Sequence, residues 1–359
     1  MRRSLIVLAL TAVASASAAP SFAGPFTVTT LATNATDPGL INPWGLASSD
    51  TSPFWIGVNG SGTSELYNGA GVKNGLVVTM PGNSPVTGVV FNSGGFNGDA
   101  FLFASEDGTI AGWRFALGTS AEVLQFAEPF NVYKGLTEAS VGGFVYAYAA
   151  NFRSGMIDVL KGSAAAPDLA AHFIDPTLPS GYAPFNVQNL GGTLYVTYAV
   201  QDAAKKDDQP GAGNGIVDRF DANGNFLGRV VTGGALNSPW GLAIAPAGFG
   251  SLGGDLLVGN FGDGLIHAYD PLTGVLLDTL TDATNNPIVI DGLWALRAGN
   301  NGAGVDPAKV YFTAGPDGET GGQFGSLAGP GGGTSAVPEP ATFALLGSGL
   351  LGAIRRRRA

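Results

Sequence analysis

Asn237-Ser238-Pro239-Trp240-Gly241-Leu242-Ala243-Ile244 is followed by Gly253-Gly254-Asp255-Leu256-Leu257-Val258-Gly259-Asn260 and then by Gly264-Leu265-Ile266-His267-Ala268-Tyr269-Asp270. These short apolar segments, each punctuated by glycine, read as three strands, and Gly274 to Leu280 supplies a fourth. A lone four-stranded meander cannot cover both of its faces. The same pattern must therefore recur, and it does.

Gly45, Gly88, Gly135, Asn186, Gly241 and Gly292 mark the starts of six such units, at intervals of 43, 47, 51, 55 and 51 residues. That spacing suits a four-stranded propeller blade. Second strands follow in register, from Phe54-Trp55-Ile56-Gly57 to Val310-Tyr311-Phe312-Thr313, each with a glycine-led third strand behind it. The reading is an all-β, six-bladed β-propeller of four-stranded blades over residues 24–327. The sixth unit runs out after its third strand, whereas Phe26 to Leu31 alternates as a strand with no blade of its own. The N-terminal segment is therefore predicted to complete the last blade, which removes two exposed edges. Two connections are long: Gln201 to Asn214, carrying Lys205-Lys206-Asp207-Asp208, and Arg297 to Lys309. Such loops on a rigid scaffold are where function tends to sit.

Composition agrees with that architecture. Hydrophobic residues make up 45% and charged residues 12% of the 359, with 57 glycines for tight turns. A disordered chain would be apolar-poor and charge-rich. The net charge of −10 argues against nucleic acid and anionic membrane surfaces as partners. There is no cysteine, which excludes thiolate metal sites and cysteine nucleophiles. A domain of this size is held by burial alone and needs no disulfide.

Both ends read as addresses. Arg2-Arg3, the apolar run Leu5 to Val13, and Ser21-Phe22-Ala23 form a secretory signal peptide over residues 1–23. At the other end, residues 328–336 are a glycine-rich linker and residues 337–359 a sorting and membrane segment. It begins with Val337, Pro338, Glu339 and Pro340, continues as an apolar helix from Ala341 to Ile354, and ends on Arg355 to Arg358. Those three parts in that order resemble the PEP-CTERM sorting signal of Gram-negative bacteria. The resemblance implies transient anchoring in the inner membrane, then cleavage by an exosortase-type enzyme and display or release at the cell surface. Bacteria with this system typically make exopolysaccharide.

Further motifs are Asn42-Pro43-Trp44-Gly45-Leu46-Ala47 with its echo at Ser238 to Ala243, Ala104 to Trp113, Ala183 to Asn189, and Phe312 to Asp317. Together they resemble an uncharacterised family of exported bacterial propellers, similar to NHL-repeat propellers, that often carry this tail. The family often has an acidic residue before Asn59, where this chain has Val58.

In an up-and-down meander, first-strand entries and second-strand ends share one face. That face is expected to collect Trp44, Thr87, Lys134, Phe185, Trp240 and Asp291 with Asn59, Glu106, Asn151, Gln201, Asn260 and Gly315. The amides suit backbone capping. With the aromatics they also suit a sugar-binding channel mouth made by Trp44, Asn59, Glu106, Lys134, Asn151, Phe185, Gln201, Trp240, Asn260 and Asp291. A third reading is calcium held by Glu106, Asn151 and Asn260, as in lactone-hydrolysing propellers, where the cation polarises a carbonyl. The opposite face is expected to hold plain connections. Trp44, Trp240 and Trp294 read as packing between blades. No Gly-x-Ser-x-Gly elbow or phosphate-cradling loop occurs, and Asp221 to Asn225 lacks the later glutamate of a calcium loop. The leading expectation is a non-enzymatic binding or scaffold module for exopolysaccharide or a surface protein; the runner-up is a calcium-dependent hydrolase.

Overall fold

A computed structural model describes residues 24–330; the signal peptide and the sorting tail, with its apolar helix, lie outside them. Twenty-three strands form six sheets, and among the described residues there is no α-helix, only five short 3-10 turns. The innermost strands run Pro43–Ala47, Val86–Phe91, Tyr133–Val141, Tyr182–Leu190, Pro239–Ile244 and Leu293–Ala298. Each packs on the next and the sixth on the first, so the sheets stand as blades around an axis.

Five sheets have four strands. Blade 3 has three, ending with Met156–Lys161, which corrects the expectation of a uniform repeat. The segment after it carries Pro167, Pro176 and Pro179, which cannot donate to a ladder. Its apolar residues cover the blade without pairing: Phe173 meets Tyr148 edge-on at 5.3 Å, and Tyr146 donates its hydroxyl to the Pro167 carbonyl. In blade 6 the order from the axis outward is Leu293–Ala298, Lys309–Ala314, Gln323–Ala328 and Thr27–Thr33. The N-terminal strand pairs antiparallel with Gln323–Ala328, from Thr27 opposite Ala328 to Thr33 opposite Gln323.

One irregularity recurs in all six innermost strands. Their pairing skips at Trp44, Thr87, Lys134, Phe185, Trp240 and Trp294. A β-bulge re-aims the side chain it leaves unpaired. Here five of the six meet one another from different blades, which is possible only on the axis. Trp44 stacks on Trp294 at 3.6 Å and meets Trp240 edge-on at 6.5 Å; Phe185 lies 6.1 Å from Trp294. The bulge corrects the repeat: the sixth strand bulges at Trp294, so Ala295, not Gly292, is equivalent to Gly45.

The residue after the bulge is glycine in four blades and alanine in the sixth, because the next strand passes within contact of it; blade 4 has Asn186 there. A Cβ on Gly45 would stand 2.6 Å from the Thr87 carbonyl oxygen, and one on Gly135 would stand 2.1 Å from Asn186 Oδ1. Contacts this close are available only to glycine. Between blades the sheets pack through large aromatics, such as Trp55 stacked on Phe101 at 4.2 Å.

Candidate functional site

The expected mouth is a plug. Trp44, Lys134, Phe185 and Trp240 are all buried, and Phe261 stacks on Trp294 at 4.0 Å to thicken the layer. The indole N–H of Trp240 donates to the Lys134 carbonyl at 2.9 Å, and Asn186 Nδ2 donates to the Trp240 carbonyl at 2.8 Å. Trp294 donates its indole N–H to Asn42 Oδ1 at 2.9 Å. These bonds run from blade to blade, so the layer holds the ring together as well as sealing it.

Lys134 is the charged member of the plug. Its ammonium lies 4.9 Å over the Trp44 ring and bonds Glu106 at 2.5 Å and Asp207 at 3.0 Å. Desolvation works to discharge it, but the two carboxylates outweigh that and hold its pKa above the ordinary lysine value. Burial likewise pushes Glu106 up, while Lys134, with Lys206 and Asn59, brings it below the ordinary carboxylate range. Asn59 donates to Glu106 at 3.2 Å, and Asn42 donates to Glu319 at 2.7 Å. Asp207 comes from the long connection after Val200, where Gln201 bridges to Asp208, so that insertion lies over the plug. Gln201 itself donates to the Phe152 carbonyl.

Other expected mouth residues are placed elsewhere or take partners within the protein, although Asn260 Oδ1 and the Trp44 indole N–H are buried without one. Asn151 donates to Asn131 at 2.8 Å and Asp158 at 2.9 Å, and its oxygen accepts the Val132 and Ser154 N–H groups. Asn260 is buried and donates to the Ala235 carbonyl at 2.9 Å. Asp291 is exposed on the rim and accepts the Asp317 N–H at 2.9 Å. Its expected place at a strand entry belongs to Trp294, three residues on, because the bulge sets the register.

Calcium would need convergent oxygens. Glu106 meets an ammonium where such a cation would sit, and no hydrogen bond joins it to Asn151 or Asn260. Among the described residues no cluster of three or more His, Asp or Glu side chains is placed to hold a metal ion. His267 is buried, with Nδ1 2.8 Å from Thr279 Oγ1, and burial lowers its pKa.

The open cavity lies at the other end, past the plug, where plain connections were expected. It is a funnel of about 380 Å³ on the ring axis, walled by the exit halves of the innermost strands and reaching down to Asn186 and Trp240. Such a volume is within the range of small-ligand pockets. Arg297, Gln188, Thr137 and Glu138 line it. Arg297, expected to open a loop, is in strand. Its Nε and Nη2 donate to Ser48 Oγ at 3.1 Å and the Ser48 carbonyl at 2.9 Å. Desolvation pushes its pKa down to about 10, with Asp50 working the other way. Glu138, three blades away across the axis, is raised by burial, against which Ser93 Oγ, donating at 2.9 Å, works.

Comparison with known proteins adds the tail and the kinship. Residues 336–358 match the PEP-CTERM protein-sorting motif. Two proteins of Acanthamoeba polyphaga mimivirus, uncharacterized proteins R648 and L690, resemble the chain over most of its length. R648 is 30% identical over 318 residues, covering 81% of this chain and 76% of its own. L690 is 31% identical over 315 residues, covering 81% of each. The chain belongs to their family. Solved structures give its fold. A streptogramin B lyase structure superposes with a TM-score of 0.50 at 14% identity, covering 84% of this chain and 97% of that one. A glucose dehydrogenase gives 0.52 at 12% identity, covering 85% and 100%. At such identities the likeness is one of fold. Among the described residues no helix is long and apolar enough to cross a membrane.

Proposed function

We propose that this family member is an exported propeller, sorted through its C-terminal motif to the cell surface or the extracellular polysaccharide matrix, where it binds without catalysing a reaction. The observation that carries the reading is the sorting motif at residues 336–358, which implies processing by an exosortase-type enzyme. Residues 1–23 would direct export and be removed, and residues 328–336 would serve as the linker to the tail. The ligand site in this reading is the axial funnel, since the opposite end is filled by side chains packed against one another. Geometry supports a surface role in one further way. Gly329 and Pro330 lie against Phe249 and Gly250, in the funnel-end turn of blade 5. The tail therefore leaves from the funnel end, and both would face the surface to which the protein is delivered.

Replacing residues 337–340 with alanine tests sorting. The expected outcome is an unprocessed chain retained in the membrane fraction; release at the normal level would overturn it. Capture on secreted polysaccharide tests binding, and no retention by any glycan or surface protein would count against that half. The alternative, a calcium-dependent lactonase working through Glu106, requires calcium to displace Lys134. Calcium titration followed by thermal unfolding decides it, because an unchanged transition leaves that reading without a metal.

A further inference from the structure

Arg297 is a cation without an ion-pair partner; Asp50, on the rim of the same funnel, acts on it only from beyond ion-pair distance. Among the described residues no carboxylate lies within ion-pair distance of it, whereas Arg114 and Arg229 each hold two. Ser48 occupies Nε and Nη2, and Nη1 has no protein partner. Nor is Nη1 among the buried atoms lacking a partner, so it opens to the funnel. Withdrawing a guanidinium from bulk water without an anion is costly, and a ligand supplying one recovers that cost. Ser48 fixes the guanidinium plane, so the fork is already oriented before anything binds.

The rest of the funnel is polar in a complementary sense. The Gln188 side-chain amide makes no hydrogen bond within the protein and lines the same space. Thr137 Oγ1 accepts the Asn189 N–H at 3.0 Å, and Asn189 Nδ2 donates to the Glu138 carbonyl at 2.9 Å, which stiffens the wall opposite Arg297. Glu138 presents a carboxylate to that side, an acceptor for hydroxyl groups and a deterrent to a second anionic group.

We propose that the funnel is a binding site for a carboxylate-bearing, hydroxyl-rich ligand of single-sugar size, a uronic acid, with its carboxylate on Arg297 and its hydroxyls toward Gln188 and Glu138. The proposal rests on the funnel being the ligand site and adds the chemistry of what enters it. A free uronic acid and the end unit of an acidic polysaccharide share that chemistry.

The test is calorimetric titration of the full chain with D-glucuronate, with D-glucose as the neutral counterpart and a tetra-glucuronate to separate the two sources. Glucuronate is expected to bind about tenfold or more tightly than glucose, the worth of one charge-assisted fork. Arg297→Gln is expected to abolish that preference, Arg297→Lys to restore part of it, and Gln188→Ala to weaken both sugars. Tetra-glucuronate binding at least as well as the monomer would assign the site to a chain end, and weaker binding would assign it to the free acid. Should Arg297→Gln fail to fold, as judged by circular dichroism, the glucuronate-to-glucose ratio and Gln188→Ala still decide. Equal binding of the two sugars, lost in Gln188→Ala, overturns the anion assignment and leaves the funnel as a site. Absence of saturable binding by either sugar overturns both.

Discussion

Replacing Glu106 with glutamine should destabilise the propeller although Glu106 lies at its end and not in its sheets. The substitution keeps the shape and the bond accepted from Asn59, and it removes the charge facing a buried ammonium at 2.5 Å. Breaking a buried pair from one side costs about 3–5 kcal/mol. Asp207 remains at 3.0 Å, but its side chain is 59% exposed and compensates only in part. The expected loss is therefore near the lower end, about 3 kcal/mol. At about 2–4 °C per kcal/mol for a domain of this order, the melting temperature should fall by roughly 6–12 °C. Lys134→Met should cost as much, since it leaves Glu106 and Asp207 facing each other and Glu319. The double variant should be less destabilised than the sum by about 2 kcal/mol, because neither group is then left alone.

The pH dependence provides a second handle. Glu106 titrates below its ordinary value in the folded state, so its contribution is full above that ordinary value and is lost as pH falls through the folded one. Lys134 titrates above its ordinary value, so its contribution is full below that and is lost only as pH rises through the folded value. The gap between wild type and Glu106→Gln should be constant at neutral pH and close in acid. Urea unfolding followed by tryptophan fluorescence reads both, since Lys134 sits over Trp44. Additive single variants, each costing under about 1 kcal/mol, would refute the ion triad as a structural clamp.

Gly135→Ala should cost about 2–3 kcal/mol, because its Cβ would stand 2.1 Å from Asn186 Oδ1 and disturb the bond from Asn186 to Trp240; an unchanged denaturation midpoint would show that the strands can part there. Deleting residues 24–33 leaves Gln323–Ala328 as a bare edge, so the product should be aggregated or oligomeric by size exclusion, and a stable monomer would show the strand to be dispensable. Asp218 is pushed up to about 7 by burial and by neighbouring Asp175, against the pull of Arg229. The folded state therefore holds its proton more tightly than the unfolded chain does, and stability falls as pH rises from the ordinary aspartate value toward 7. Asp218→Asn should flatten that slope and gain about 2 kcal/mol over wild type at pH 8; parallel stability curves from pH 4 to 8 would refute it.

What the sequence disclosed follows from which forces are local. Strand identity and blade count were legible because glycine turns and apolar runs report backbone geometry directly. Blade 3 misled because its fourth strand was expected from the repeat alone, while Pro167, Pro176 and Pro179 deny the segment after Lys161 a ladder. The mouth misled for another reason. Trp44, Trp240 and Trp294 read as packing between blades and do pack on one another, but the strand-entry residues alone do not show that Phe185 and Lys134 join them to close the axis. Asp291 was misplaced because the bulge that sets the sixth register leaves no mark of its own in composition.

The funnel residues did leave a mark, visible once the bulge position is known. Three residues after the bulged side chain, blades 2, 3, 4 and 6 bring Val90, Thr137, Gln188 and Arg297 to the funnel, whereas the corresponding Ala47 and Ala243 are buried between blades. The expectation of plain connections followed from the glycine-rich turns at that end, such as Asn92 to Gly98 and Ala247 to Gly254, which say nothing of the strand residues beneath them. In the closed ring Thr137, Gln188 and Arg297 come to one space, and three polar members beside Val90 suffice to make a wet pocket. The bulge supplies the asymmetry: in five blades of six it turns a large side chain inward at the entry end, and past it the glycines and Ala295 leave the axis open. Plug and funnel are thus two consequences of one recurring irregularity, and because the plug blocks passage along the axis, whatever enters the funnel must do so from the end at which the sorting tail departs.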